Sequence, residues 1–327
     1  MRRTTGGHPL LRLIGWRLVQ LPFILVIIYT LTFMLAWLIP GNPLEQPEGR
    51  RPPDEIVQAM EARYDFDDPM TFYFEYLGGI TGVDWITGAG SGPVIDFGPS
   101  LRHENWTVNE ILVSQLPVSI VLGLSAIMLA CVIGILAGVM GSLRPGSWVD
   151  LVTLLIALIG ISLPAFVTGT VLLVVFAVSL GIAPVGGWGG FSHIVLPAIA
   201  LSLPFAAYIA RLVRTGMLEE LRSDHVRTAR AKGMPERVVI YKHALKNAFL
   251  PVLSYLGPAT AAAMTGSFVV EKVFAVPGIG THFVDAVLGK DITLITGVVL
   301  VYSTLLVLLN LLVDVLYHWA DPRIRIA

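Results

Sequence analysis

Charged residues are scarce in this sequence of 327 residues. They make up 14% of it, against about 25% in a typical soluble domain, while apolar residues reach 55%. So few charges cannot cover the surface of a water-soluble protein of this size, and the same hydrophobicity excludes a disordered chain. The single cysteine, Cys131, excludes an intrachain disulfide framework and a zinc site built from cysteines. The composition therefore indicates a membrane protein.

Long segments without charge define the predicted fold. Asp, Glu, Lys and Arg are absent from residues 18–44, 111–143, 151–210, 247–270 and 292–313. A helix needs about 20 apolar residues to cross a bilayer, so the third segment holds two helices, divided by the glycine-rich residues 181–190. We predict an all-α, polytopic membrane protein with one transmembrane domain over residues 1–327. Its six membrane helices are expected at about 16–39, 115–140, 150–180, 194–214, 248–270 and 294–318.

The distribution of basic residues predicts the orientation. Sixteen of the 22 Lys and Arg residues fall in the two tails and in the second and fourth connecting segments. Because basic residues are retained on the cytoplasmic side, both the N and the C terminus are expected there. The first connecting segment, residues 41–114, holds 13 of the 23 acidic residues and is expected outside.

The outer segment 41–114 is too long to be a turn. Its sequence predicts a short helix capped by Asp54, then an aromatic cluster from Phe72 to Tyr76 suited to the membrane interface, then a loop as far as Pro99. Two interpretations remain open. The segment is either a small cap over the helical bundle or a docking surface for an extracytoplasmic partner.

The basic segment 211–248 carries the most information. Its apolar spacing predicts two short helices that meet at Gly233, and Met234-Pro235 suits the start of the second. It has too many charges to cross a membrane and too many apolar side chains for a solvated linker. It therefore either lies on anionic lipid or forms a helical projection that fits a cytoplasmic partner.

Residues 227–233, Arg-Thr-Ala-Arg-Ala-Lys-Gly, resemble the EAA loop of ABC-transporter permeases. Together with His-Ala-Leu-Lys-Asn-Ala-Phe-Leu-Pro-Val-Leu at 243–253, they are similar to the oligopeptide/dipeptide/nickel permease family, particularly its oligopeptide permease B type. Arg227 stands where the general pattern has Glu, and Leu250-Pro251 lies further along than in that pattern. Both departures are typical of the peptide subfamily. Further matches follow in order along the chain, at 96–100, 196–197, 271–274, 277–280, 310–314 and 321–323.

This resemblance implies the permease fold of type I ABC importers and a place in the bacterial inner membrane. It implies a non-enzymatic subunit that forms half of a translocation pathway for oligopeptides or dipeptides, with nickel chelates or another small solute as the alternative. The implied partners are a second homologous permease, two cytoplasmic ATP-binding subunits and an extracytoplasmic substrate-binding protein, with no nucleic acid. ATP and Mg²⁺ would be bound by the partner subunits, because the chain lacks the phosphate-binding pattern G-x-x-x-x-G-K-[ST]. A stand-alone secondary transporter is disfavoured by the long uncharged segments, and an intramembrane hydrolase lacks a nucleophile–base pair.

The resemblance also assigns candidate site residues, none of them catalytic or metal-binding. The coupling contact to the ATPase is expected at Arg227, Thr228, Ala229, Arg230, Lys232 and Gly233. Gly233 would turn in the left-handed conformation, Ala229 would permit close approach, and the cations would pair with acidic groups of the partner.

Three acidic residues are weaker candidates for the translocation path or its gate: Glu271, Asp285 and Asp314. The alternative for Asp314 is a structural pairing with a cytoplasmic arginine. The alternative for Glu271 and Asp285 is that both are solvated loop charges.

Overall fold

The computed structural model describes residues 9–40, 68–88, 92–103, 106–265 and 268–320, so the predicted helix at Asp54 lies outside the described residues. Within these ranges the regular secondary structure is helical, apart from one bridge between Pro99 and Thr107. In chain order the helices are α1 Pro9–Leu38, α2 Pro69–Thr81, α3 Val83–Thr87, α4 Val108–Leu143, α5 Trp148–Ser162, α6 Ala165–Ser179, α7 Phe191–Glu220, α8 Asp224–Ala231, α9 Glu236–Ala248, α10 Leu250–Thr265, α11 Phe268–Val273, α12 Ile279–Leu288 and α13 Ile292–Ala320.

Four helices, α1, α4, α7 and α13, are each long and apolar enough to cross a membrane. If each of two bent pairs is counted as one span, the number rises to as many as six; the pairs are α5 with α6, and α9 with the helix that begins at Leu250. The prediction of an all-α, polytopic membrane protein is therefore confirmed for the described residues, and the predicted six membrane segments agree with the upper end of the four to six spans found.

The third predicted membrane helix, at about 150–180, is not one continuous helix. It is bent by 105° between α5 and α6. The break lies at Leu163-Pro164, because proline has no N–H to donate and forces the preceding residue out of the helical region. Leu163 accordingly has φ −87° and ψ 126°, an extended conformation.

The described chain divides into two compact units. The first comprises Met1–Leu18, Ile120–Val276 and Leu306–Ala327. Its α4 and α7 pack closely where Gly134 and Gly138 lie one turn apart. A Cβ atom on Gly138 would lie 2.7 Å from the carbonyl oxygen of Ala210, and one on Gly134 would lie 2.7 Å from that of Ala206. The two glycines thus permit the backbones of α4 and α7 to approach more closely than any larger residue would allow.

The second unit comprises Val19–Ser119 and Pro277–Leu305. Asp68 caps the start of its α2, and the Asp68 carboxylate accepts hydrogen bonds from the Thr71 hydroxyl and the Met70 N–H. These bonds lower the pKa of Asp68. The predicted loop after the aromatic cluster is helical as far as Thr81, and α3 follows. Gly82, with φ 75°, separates the two helices, so the glycines of this stretch end a helix rather than exclude one.

The aromatic cluster of α2 faces two environments, whereas the sequence suggested the membrane interface for all of it. Phe72 and Tyr76 are fully buried, and their rings stack on Phe33 and Tyr29 of α1, respectively. Only Phe74 is largely exposed. The hydroxyl of Tyr76 also donates to the carbonyl of Thr293 at 3.0 Å, which ties α2 to the start of α13.

Candidate functional site

The basic segment consists of the end of α7, the short helix α8 and the helix α9. The structure extends α7 to Glu220, so residues 211–220 continue the fourth membrane helix and do not form a separate short helix. Ser223 ends the intervening turn, and its hydroxyl donates to the carbonyl of Glu220 at 2.6 Å. The apolar period runs unbroken through Leu212 and Gly216, which is why the sequence did not reveal where α7 ends.

Gly233 adopts the predicted left-handed conformation, with φ 75°. Its N–H donates to the carbonyl of Arg230 at 2.9 Å, and the N–H of Met234 lies 3.4 Å from the carbonyl of Ala229. These two bonds form the Schellman arrangement that ends many helices at a glycine. Pro235 then precedes α9, as predicted.

The apolar side of this segment is buried inside the chain. Val226 and Ala229 of α8 join one hydrophobic core with residues of α4, α7 and α9. Members from α7 and α9 include Val213, Met217, Val239, Ala244 and Ala248. Ala229 was expected on the docking surface; it lies beneath that surface instead, because the three-to-four-residue period of α8 places it on the same side as Val226.

The opposite side of α8 is exposed and polar. Arg227, Thr228 and Lys232 all lie there. The guanidinium of Arg227 is 3.8 Å from the Asp224 carboxylate, a loose contact between two exposed groups, and the Thr228 hydroxyl donates to the carbonyl of Asp224. Arg227 and Lys232 are thus the cations that α8 presents outward.

Arg230 differs from the other two cations because it has a close partner within the segment. Its Nη2 donates to Oε1 of Glu236 at 2.6 Å, across the turn that contains Gly233. The hydrogen bonds with Glu236 raise the pKa of Arg230. This ion pair closes the turn between α8 and α9.

A polar joint, not foreseen from the sequence, connects α7, α8 and α9. Nε2 of His225 lies 3.2 Å from Oε2 of Glu220 and 3.3 Å from the carbonyl oxygen of His243. The amide of Asn247 donates to the same Glu220 carboxylate at 3.3 Å. His243 lies in the π-helical turn Val239–Ala244 of α9, a local geometry with no reliable sequence signature.

The weaker candidates occupy three separate helices. Glu271 is fully buried on α11, so its interpretation as a solvated loop charge is wrong. Asp285 is partly buried on α12, within a segment that the sequence suggested was a loop. Asp314 on α13 accepts a hydrogen bond from Nη2 of Arg17 at 2.8 Å, which is the pairing that its structural alternative predicted.

A second ion pair was missed by the sequence analysis. Asp150, on the first turn of α5, accepts from Nε and Nη2 of Arg214 on α7 at 2.6 and 2.8 Å. Asp150 is 3% exposed. Asp150 lies three residues after Ser147, which caps α5, and this spacing resembles a capping box. The local pattern therefore gave no sign of a partner on α7. In the described part of the chain, no three acidic, histidine or cysteine residues are grouped to bind a metal ion.

Comparison with known families covers almost the entire chain. The model for the binding-protein-dependent transport system inner membrane component matches residues 130–326. The corresponding N-terminal model matches residues 10–123. The chain belongs to this family of membrane transport components. It is accordingly a multi-pass membrane protein, as its apolar helices require.

Among its curated relatives are two bacterial peptide permeases. The dipeptide transport system permease protein DppB of Bacillus subtilis is 40% identical over 92% of this chain and 94% of its own length. The oligopeptide transport system permease protein OppB of Salmonella typhimurium is also 40% identical, over 92% of this chain and 95% of its own length. These alignments confirm the resemblance to the oligopeptide permease B type.

A solved structure shares the fold. The methionine ABC transporter MetNI, in an inward-facing conformation, contains a chain that aligns with a TM-score of 0.54 at 20% identity. The alignment covers 64% of this transport component and 96% of the MetNI chain. The helical arrangement is therefore that of an ABC importer permease.

Proposed function

We propose that this chain is the permease subunit of a binding-protein-dependent ABC importer for oligopeptides or dipeptides. The family supports the class of transporter, and the names of the 40%-identical relatives support the substrate. Six helices that fill their own core cannot also enclose a cavity wide enough for a peptide. The chain therefore forms half of the pathway, beside a second, related permease.

The main support for a role in coupling to the ATPase is that the apolar side of α8 is buried inside the chain. A helix that binds a lipid surface inserts its apolar face among the acyl chains. In this chain, Val226 and Ala229 are already buried in the hydrophobic core with α7 and α9, and α8 presents mainly polar and cationic groups outward. This arrangement favours a protein partner over a lipid surface as the ligand of α8.

The partner of α8 is an ATP-hydrolysing subunit in this proposal. Arg227 and Lys232 would pair with its acidic groups, while Arg230 keeps the turn closed through Glu236. The partner subunits bind ATP and Mg²⁺ and carry out hydrolysis. The extracytoplasmic binding protein delivers the substrate, and the common core of α7, α8 and α9 carries the movement of the ATPase into the membrane helices.

The test is reconstitution of the complete transporter with the double variant Arg227→Glu/Lys232→Glu. An exposed ion pair contributes up to about 1 kcal/mol, so loss of two pairs weakens ATPase binding by up to about thirtyfold. We expect lower peptide uptake and weaker retention of the ATPase subunits during purification. The matched control is Arg144→Glu, the same charge reversal at an exposed position outside α8.

Two results would contradict the proposal. One is normal ATPase retention and normal uptake in the double variant, which would favour the alternative that α8 lies on anionic lipid. The other is uptake of nickel chelates with no competition from di- or oligopeptides, which would assign a different substrate to the same permease.

A further inference from the structure

Among the described residues of the first unit, the pair between Asp150 and Arg214 is more enclosed than the other ion pair between membrane helices, Arg17 with Asp314. Both carboxylate oxygens of Asp150 accept from the guanidinium, and Oδ2 also accepts from the Gly146 N–H at 2.8 Å. A bidentate contact fixes the angle between the two groups as well as their separation. The first turn of α5 is therefore held to α7 in one geometry.

The surroundings of Asp150 allow it little freedom. Ser147 caps α5 and lies 3.4 Å from the Asp150 N–H, while Gly146, with φ 78°, directs its own N–H at the carboxylate. The end of α4 closes the other side, since a Cβ atom on Gly141 would lie 3.2 Å from Oδ1 of Asp150. These contacts enclose the Asp150 carboxylate on three sides and hold it to the turn that carries it.

Arg214 lies on the part of α7 that supports the α8–α9 segment. Its neighbours Val213 and Met217 belong to the hydrophobic core that contains Val226 of α8. A displacement of α8 therefore moves this turn of α7, because packed cores transmit small shifts with little compression. The same turn holds Asp150, and with it the start of the helix that leads to the 105° bend.

We propose that Asp150 and Arg214 are positioning residues that transmit movement of α8 and α9 to the bent helix pair α5–α6. The inference rests on the proposed function, because it assigns a route for the coupling between the ATPase subunits and the pathway. It adds a specific link between α7 and α5.

The test must separate coupling from folding. Removal of one member leaves an uncompensated charge in an enclosed site, which would destabilise the chain whatever its role. The double variant Asp150→Asn/Arg214→Met removes both charges, and the asparagine oxygen still accepts from the Gly146 N–H. Four quantities are measured in the complete reconstituted transporter: its thermal stability, its basal ATP hydrolysis, the stimulation of that hydrolysis by loaded binding protein, and peptide uptake per ATP.

We expect the double variant to assemble, to melt near the wild-type temperature and to retain basal hydrolysis. Uptake per ATP should fall on the order of 5- to 150-fold, the usual range for coupling between distant sites. Arg214→Lys, which keeps the charge without the bidentate geometry, should give an intermediate ratio. The control is Arg144→Met, which removes an exposed cation from the turn between α4 and α5 and should keep the wild-type ratio of uptake to ATP hydrolysis.

The inference would be overturned if the double variant took up as much peptide per ATP as the wild type. It would also be overturned if uptake per ATP fell equally in the control. Failure of the double variant to assemble would also overturn it, because that result makes the pair structural. If the wild-type transporter shows neither uptake nor stimulated hydrolysis with its partners, the proposed function fails instead.

Discussion

Replacement of Gly233 by valine should uncouple transport without unfolding the membrane helices. Gly233 has φ 75°, a conformation that costs an L-residue about 1–2 kcal/mol and a β-branched residue more. No atom lies within 4 Å of the position that a Cβ would occupy, so the perturbation is backbone strain without a steric clash inside the chain. The native turn is then disfavoured by roughly five- to thirtyfold relative to relaxed alternatives.

The backbone strain at residue 233 would break two hydrogen bonds of the turn and alter the exposed side of α8. A change of φ removes the bonds from Gly233 to Arg230 and from Met234 to Ala229, and it displaces Lys232 from the exposed side of α8. The membrane helices should insert normally, because their stability comes from apolar segments far longer than this turn. Uptake and the stimulation of ATP hydrolysis by loaded binding protein should both fall several-fold.

The assay is uptake and stimulated hydrolysis in proteoliposomes that contain the complete transporter. Gly233→Asn is the matched control, because asparagine adopts the left-handed conformation more readily than other residues and adds a side chain of similar bulk. Its activity should remain close to wild type. Normal uptake and normal stimulation in Gly233→Val would refute the coupling assignment, and the lipid-surface interpretation would replace it.

Three further outcomes are expected. Gly138→Val should reduce the amount of folded protein and its melting temperature, because its side chain would overlap the carbonyl of Ala210. The single change Arg17→Met should lower the melting temperature, and Arg17→Met/Asp314→Asn should recover part of the loss, since the two residues form an ion pair of intermediate exposure. A cysteine introduced by Lys242→Cys in a cysteine-free background should resist an impermeant thiol reagent outside intact cells, because this segment is expected in the cytoplasm.

Each of these measurements has a control. Gly15→Val places the same side chain where no atom lies within 4 Å, and it should leave the melting temperature unchanged. Equal melting temperatures for Gly138→Val and wild type would contradict the close packing of α4 on α7. For topology, the reagent should reach Lys242→Cys after permeabilisation, whereas labelling of intact cells would reverse the predicted orientation.

The sequence predicted those features that depend on local pattern. The membrane segments follow from the absence of charge, and the left-handed Gly233 follows from helix-ending chemistry between two amphipathic stretches. A proline such as Pro164 is a local signal for a break in a helix, but the size of the bend depends on packing that one position does not encode. The buried rings of Phe72 and Tyr76 were missed because their partners, Phe33 and Tyr29, lie about forty residues earlier in the chain.

The candidate site was predicted only in part, because the sequence does not show which residues are brought together by packing. The type of each side chain at 227–233 was evident, but its direction depends on which face of α8 meets the core. That face buries Ala229 and leaves Lys232 exposed. Asp150 and Arg214 are 64 residues apart, and nothing in a single sequence joins two charges at such a distance.

The hydrogen bond from Tyr76 to Thr293 bears on how the chain is made. Its two residues are 217 positions apart, and α13 leaves the ribosome long after α2. At about 5–20 residues per second, α2 is synthesised roughly 10–40 s before its partner exists. During that interval the Tyr76 hydroxyl has no carbonyl from α13, and the second unit is incomplete. Nascent chains that stop before residue 293 should therefore be more sensitive to proteases at α2 than chains released at full length.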